Sequence, residues 1–128
     1  MAQEYSTAVE IRFSDLDAYG HVNSAVYFTY LEAARLKLFG TPFRELMAQG
    51  IFIVVASASC EFKVPITLED TLEIAVQVAR IGGASFDLEY RLHNGLGRIF
   101  ATAKTTMVCF DNRLKTAVSV PAGIKAMA

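Results

Sequence analysis

Ser24-Ala25-Val26-Tyr27-Phe28-Thr29-Tyr30-Leu31-Glu32-Ala33-Ala34-Arg35-Leu36-Lys37-Leu38-Phe39-Gly40 is the stretch that decides the fold of this 128-residue chain. On a wheel of 3.6 residues per turn, Tyr27, Leu31, Ala34 and Leu38 form one stripe, and Val26, Tyr30 and Ala33 widen it. Glu32 and Arg35 lie opposite. So wide an apolar face predicts a largely enclosed helix. Asn23 or Ser24 can cap its start and Gly40 can close it, so the helix is expected over 24–40.

Upstream, Val9, Ile11 and Phe13 alternate with Glu10 and Arg12, the period-2 pattern of a half-buried strand over Ala8 to Phe13. It runs directly into Ser14-Asp15-Leu16-Asp17, and a break follows at Ala18-Tyr19-Gly20. Downstream, a short helical piece is expected around Phe43 to Ala48, then strands over 51–64, 71–81, 85–92 and 98–110. In the second and third of these, Leu72, Ile74, Val76 and Val78 share one face, as do Phe86, Leu88, Tyr90 and Leu92. Gly82-Gly83 and His93-Asn94-Gly95 are the turn signals of antiparallel hairpins. One helix followed by four successive strands argues an α+β fold in which an antiparallel sheet packs on the helix. No repeat or linker interrupts the pattern, so residues 1–128 read as one domain.

Composition narrows the function. Hydrophobic residues make up 53% of the chain, above the usual ~45–50% of soluble domains, yet no run reaches the ~18 apolar residues of a spanning helix. The surplus apolar surface is expected in a subunit interface rather than a membrane. Twelve Lys+Arg stand against 13 Asp+Glu and are scattered, so no footprint for nucleic acid is visible. Glu4 sits where a secretory leader needs basic residues and an apolar run, which favours a cytoplasmic protein. Cys60 and Cys109 lie far apart in apolar runs and read as small buried hydrophobes, not redox or zinc ligands. His21 and His93 have no cysteine beside them, so no structural metal is expected. Neither a Walker loop nor a G-x-G-x-x-G motif is present, and no cofactor is implied.

Chemistry concentrates between the first strand and the helix. Asp15, Asp17, His21 and Asn23 gather there, ahead of a helix start whose free N–H groups and positive dipole end suit an oxygen gaining negative charge. A carboxylate at this junction can attack a carbonyl or activate water. A plainer reading of the same residues makes the aspartates turn formers, His21 a surface residue and Asn23 a cap. Asp15 reads as structural, because alternation aims it to the side of Asp17 and two close carboxylates would raise one pKa.

The segment Asp15-Leu16-Asp17-Ala18-Tyr19-Gly20-His21-Val22-Asn23-Ser24-Ala25-Val26-Tyr27 resembles the D-x-D-x-x-G-H-V-N-N-A-x-Y signature of the 4-hydroxybenzoyl-CoA thioesterase-like hotdog proteins. The one departure is Ser24, where many relatives carry a second asparagine. The resemblance continues through Tyr30, Glu32, Ala34 and Arg35, then Phe62, Pro65, Asp70, Gly82, Ser85-Phe86 and Pro121. It implies the hotdog fold, an antiparallel sheet wrapped around one long helix, and hydrolysis of an acyl-CoA thioester of the fatty or aromatic class. By the same comparison Asp17 is the catalytic carboxylate, as nucleophile or as general base. Ser24 contributes a backbone N–H that polarises the carbonyl. His21, Asn23 and Tyr27 are implied around the substrate, and Ser85, Phe86, Arg113 and Lys115 around the CoA moiety, where Arg and Lys suit phosphates. The resemblance further implies a dimer with shared active sites, as a dimer of dimers a homotetramer. Two other readings stay open: an acyl-CoA hydratase or dehydratase on the same fold, and a non-catalytic acyl-CoA-binding module.

Overall fold

The computed structural model describes residues 3–128. Its elements run β1 (Glu4–Val9), a 3-10 turn (Phe13–Asp15), α1 (Ser24–Ala48), β2 (Ile51–Phe62), β3 (Leu72–Ile81), β4 (Ser85–His93), β5 (Ile99–Asp111), β6 (Thr116–Ala117) and α2 (Ala122–Lys125). The sheet is antiparallel throughout, with path β1-β3-β4-β5-β2 and β6 added to β5. It packs on the long helix in the hotdog arrangement that the sequence motif implies. No helix among the described residues is long and apolar enough to cross a membrane.

The alternation in β3 and β4 builds the floor of the core. Leu72, Ile74, Val76, Val78, Phe86, Leu88, Tyr90 and Leu92 are all at most 3% exposed. Each aliphatic side chain removed from water contributes about 2 kcal/mol before entropy is counted. From α1, Tyr27, Tyr30, Leu31 and Ala34 close on this floor, as the wheel predicts. The β3–β4 turn needs glycine for space: a Cβ on Gly82 would lie 3.2 Å from the Ser85 carbonyl, whose oxygen accepts the Gly82 N–H at 2.7 Å.

Two boundaries depart from the sequence reading. The first strand, expected over Ala8 to Phe13, runs instead over Glu4–Val9, with only Ala8 and Val9 in common, because its pairing with β3 runs from Glu4 with Gln77 to Val9 with Leu72. Beyond it Arg12 turns to Asp15, and Phe13 is 80% exposed. The helix also does not stop at Gly40 but passes through Pro42 to Ala48. A proline removes one helical N–H and crowds the preceding turn. Aromatic packing spans the site: Phe39 meets Tyr5 edge-on at 5.3 Å and stacks on Phe43 at 5.9 Å.

β2 has a different character. It pairs with β5 on one side only, and among the described residues nothing pairs its other edge. Most of its residues from Val54 onward are exposed, and Glu61 is its one charged side chain.

Candidate active site

Asp15 and Asp17 lie on either side of a short bridge between Leu16 and Val22, which closes the intervening residues into a loop. Asp15 is 2% exposed and fully engaged. Its Oδ2 accepts the Arg12 N–H at 3.0 Å and the Tyr30 hydroxyl at 2.7 Å, while Oδ1 accepts the Arg12 guanidinium at 3.0 Å. Burial pushes its pKa up, but those hydrogen bonds and the Arg12 charge outweigh it and hold the carboxyl below the ordinary range. Burial together with the Asp15 carboxylate pushes the Tyr30 phenol well up. Asp15 is therefore a structural bracket that joins the loop to α1, as its place in the sequence suggests.

Asp17 is arranged otherwise. Its Oδ1 accepts the backbone N–H of Tyr19 at 2.9 Å and of His21 at 3.2 Å. The turn itself closes through Asp17 N–H to the His21 carbonyl at 2.7 Å and Gly20 N–H to the Asp17 carbonyl at 3.0 Å, with Gly20 at φ +76°. That left-handed conformation favours glycine. Oδ2 has no hydrogen-bond partner among the described residues. One carboxylate oxygen is thus held by the loop while the other stays available.

The helix start supplies the complement. Asn23 is the N-cap, its Oδ1 accepting the Ala25 N–H at 2.9 Å. Capping satisfies one of the four unpaired donors of a helix start. The Ser24 N–H has no acceptor among the described residues. Asp17, His21, Val22, Ser24 and Tyr27 line a cleft of 340 Å³ together with Phe62, Lys63, Val64 and Pro65. Tyr27 meets Phe62 edge-on at 4.8 Å, and burial raises its phenol pKa, so it stays neutral near pH 7. A negative oxygen, a free helix N–H and an apolar wall share this cleft. It can hold a carbonyl at the helix terminus and present Asp17 to it.

Residues 62–65 are the part that sequence reasoning did not place in the site. They arrive because Val22 N–H bonds to the Ile66 carbonyl at 2.8 Å, tying the end of β2 to the loop. Lys63 left only one signal, a cation within the strand expected over 51–64.

Ser85, Phe86, Arg113 and Lys115 do not join the cleft within one chain. Phe86 fills the core at 1% exposure, and Ser85 Oγ accepts from Arg80 at 2.9 Å. Arg113 lies against Gly50, and Lys115 donates to Asn112 Oδ1 at 3.1 Å. Asp111, just before them, pairs with Ile51 at the far end of β2 from Phe62. Eleven residues of strand separate the two ends, roughly 36 Å at ~3.3 Å per residue. A larger hollow of 430 Å³ opens elsewhere on the sheet, but its charges answer one another, as in Arg91 with Glu4 at 3.2 Å.

Residues 11–127 match the family profile described as the Thioesterase-like superfamily. The long-chain acyl-CoA thioesterase FadM of Escherichia coli is 31% identical over 117 residues, 89% of each chain. Among solved structures, the probable thioesterase YbaW of Escherichia coli superposes with a TM-score of 0.86 at 29% identity, covering 95% of this chain and 94% of that one. A thioesterase of Thermus thermophilus, solved with coenzyme A and zinc, gives 0.82 at 28% identity with the same coverage.

Proposed function

Since the chain belongs to the thioesterase-like superfamily, we propose that it hydrolyses acyl-CoA thioesters in the cleft between Asp17 and the start of α1. The observation that carries this reading is the pairing of an unengaged Asp17 Oδ2 with an unengaged Ser24 N–H on one cleft. The thioester carbonyl oxygen accepts from Ser24 N–H, where the helix dipole favours its growing negative charge. Attack then proceeds in one of two ways. Asp17 adds to the carbonyl carbon, expels the CoA thiolate and leaves an anhydride that water cleaves. Alternatively, Asp17 takes a proton from water, whose oxygen adds to the same carbon and expels the thiolate. Both routes give free acid and CoA without a cofactor. His21 and Tyr27 shape the cleft, and Asn23 orients the helix start.

The acyl group belongs to the fatty or aromatic class, and the name of the Escherichia coli relative favours the fatty one. The unpaired β2 edge supports a dimer. An exposed apolar strand edge is a template for another strand, and antiparallel pairing of β2 with a second copy would bring that copy's Arg113 and Lys115 to the Asp17 end, where CoA phosphates need cations. A homotetramer, as a dimer of such dimers, is the assembly expected from light scattering.

The test is a thiol-release screen over short, long and aromatic acyl-CoAs. Free CoA from at least one class is the expected result. Saturable binding without thiol release would make the protein a binding module, and loss of the double bond of an enoyl-CoA without thiol release would make it a hydratase.

A further inference from the structure

Lys63 is the one ammonium or guanidinium among the residues that line the Asp17 cleft, and neither the hold on the carbonyl nor the attack on it uses that charge. Its backbone is fixed on both sides. The Lys63 and Val64 N–H groups both donate to the Phe100 carbonyl, at 2.9 Å and 3.0 Å, and further on the Ile66 carbonyl accepts the Val22 N–H at 2.8 Å. Phe62, just before it, packs edge-on against Tyr27 at 4.8 Å. These contacts seat Lys63 on the strand end that is tied to the Asp17 loop. Its charge is nearly uncommitted. Among the described residues Glu61 is its sole ion-pair partner, with Oε2 at 3.7 Å from Nζ, and the Glu61 side chain is 81% exposed, so the pair contributes little. Arg12, the cation beside the same loop, is already bound to Asp15 at 3.0 Å.

What a cation can do in this cleft follows from which bond must break. When Asp17 adds to the thioester carbon, the adduct can collapse by releasing either the carboxylate or the sulfur. A carboxylic acid is ordinarily stronger than an alkyl thiol by about four to five pKa units, so the carboxylate leaves more readily and the adduct falls back. Forward collapse needs the charge growing on sulfur to be stabilised. The water route has no such need, because hydroxide is a far stronger base than a thiolate and the adduct expels sulfur unaided. The position of Lys63 suits the sulfur better than the CoA phosphates. The diphosphate is separated from the sulfur by the whole pantetheine arm, whereas Lys63 lines the same 340 Å³ cleft as Asp17 and Ser24.

We propose that the Lys63 ammonium is the counter-ion of the departing CoA thiolate, a further catalytic residue of the cleft. Asp17 Oδ2 bonds to the carbonyl carbon, and the displaced electron pair rests on the oxygen held by Ser24 N–H. The carbonyl re-forms as the carbon–sulfur bond breaks, and its electron pair leaves on sulfur beside Nζ, as a charge-assisted hydrogen bond. The proton stays on nitrogen, because an alkyl ammonium is ordinarily a weaker acid than a thiol by about two pKa units. The thiolate leaves for solvent, and water cleaves the anhydride to free acid and the Asp17 carboxylate. The inference rests on the thioesterase reading and selects the anhydride route within it.

Thiol esters that share one acyl group, the one selected by the thiol-release screen, and differ in the leaving group read this role through kcat/KM. The leaving groups are CoA, N-acetylcysteamine, which carries no phosphate, and 4-nitrothiophenol, whose thiolate is stable without help. In Lys63→Met, which removes the charge and keeps an unbranched side chain, kcat/KM is expected to fall about 10²-fold with the CoA ester and by as much with the N-acetylcysteamine ester. With the 4-nitrothiophenol ester the fall is under about 5-fold. Lys63→Arg, which restores a cation, stays within about 10-fold of wild type on all of them. A loss confined to the CoA ester would make Lys63 a phosphate anchor, and an equal loss with every ester would make it structural. Either result, or no loss at all, overturns the proposal. Failure of the thioesterase reading shows separately, as a wild type that releases thiol from none of the esters.

Discussion

Asp15 and Asp17 stand two residues apart in one loop, yet their surroundings differ, and the proposed function gives them opposite work. Asp15 spends both oxygens on Arg12 and Tyr30 and is sealed from solvent. Asp17, which lines the cleft, spends one oxygen on the N–H groups of its own loop and leaves the other without a partner among the described residues. A carboxylate with both oxygens engaged holds structure together, and one with an oxygen to spare is available for chemistry.

The sharpest break of this contrast is Asp17→Asn. The amide oxygen can still accept from Tyr19 and His21, so the loop persists, while the negative oxygen is gone. Thiol release is expected to fall by about 10²-fold or more, with the melting temperature little changed. Near-normal turnover would remove Asp17 from the mechanism.

Asp15→Ala should invert the result. It strips three donors, the Arg12 N–H, the Arg12 guanidinium and the Tyr30 hydroxyl, of their buried acceptor and is expected to cost roughly 2–3 kcal/mol in urea unfolding. The folded fraction should keep most of its turnover per molecule. A large loss of rate without loss of stability would make Asp15 part of the chemistry.

Acid provides a third, smaller test, drawn from a second bracket of the same kind. Asp87 is held at a pKa of about 2, first by its hydrogen bonds with Arg80, then against burial by Thr106 and the charges of Arg80 and Lys104. A carboxyl whose folded pKa lies below its unfolded value near 4 gives its full stabilisation above that value and loses it as the pH falls toward 2. The stability gap between wild type and Asp87→Asn is expected to be on the order of 2 kcal/mol at pH 7 and to close between about pH 4 and pH 2. A gap constant across that window would detach Asp87 from the effect.

The contrast between the aspartates was partly legible in the sequence. Spacing put both carboxylates at a helix start, and the like-charge cost of two neighbours marked one as structural. Which oxygen each would spend could not be read, because the decisive partners come from elsewhere: Tyr30 from the helix, and residues 62–65 through the bond from Val22 to Ile66. The sheet faces of β3 and β4 were plain, since burial on one side writes itself as alternation. The end of β1 was not, because Ile11 and Phe13 continue the alternation after the partner strand has run out. Gly40 read as the close of the helix, yet aromatic packing of Phe39 on Tyr5 and Phe43 accompanies its continuation through Pro42. The distance of Arg113 and Lys115 from the cleft is likewise a matter of strand register.

The most direct test is a crystal structure with a non-hydrolysable acyl-CoA ketone, in which a methylene stands between the carbonyl carbon and sulfur. Asp17 Oδ2 should lie within about 3.5 Å of that carbon, or be joined to it by a single water, with the carbonyl oxygen about 2.9 Å from Ser24 N. An Asp17 side chain rotated away from the carbonyl, or a carbonyl oxygen bound anywhere other than the amino end of α1, would contradict the account.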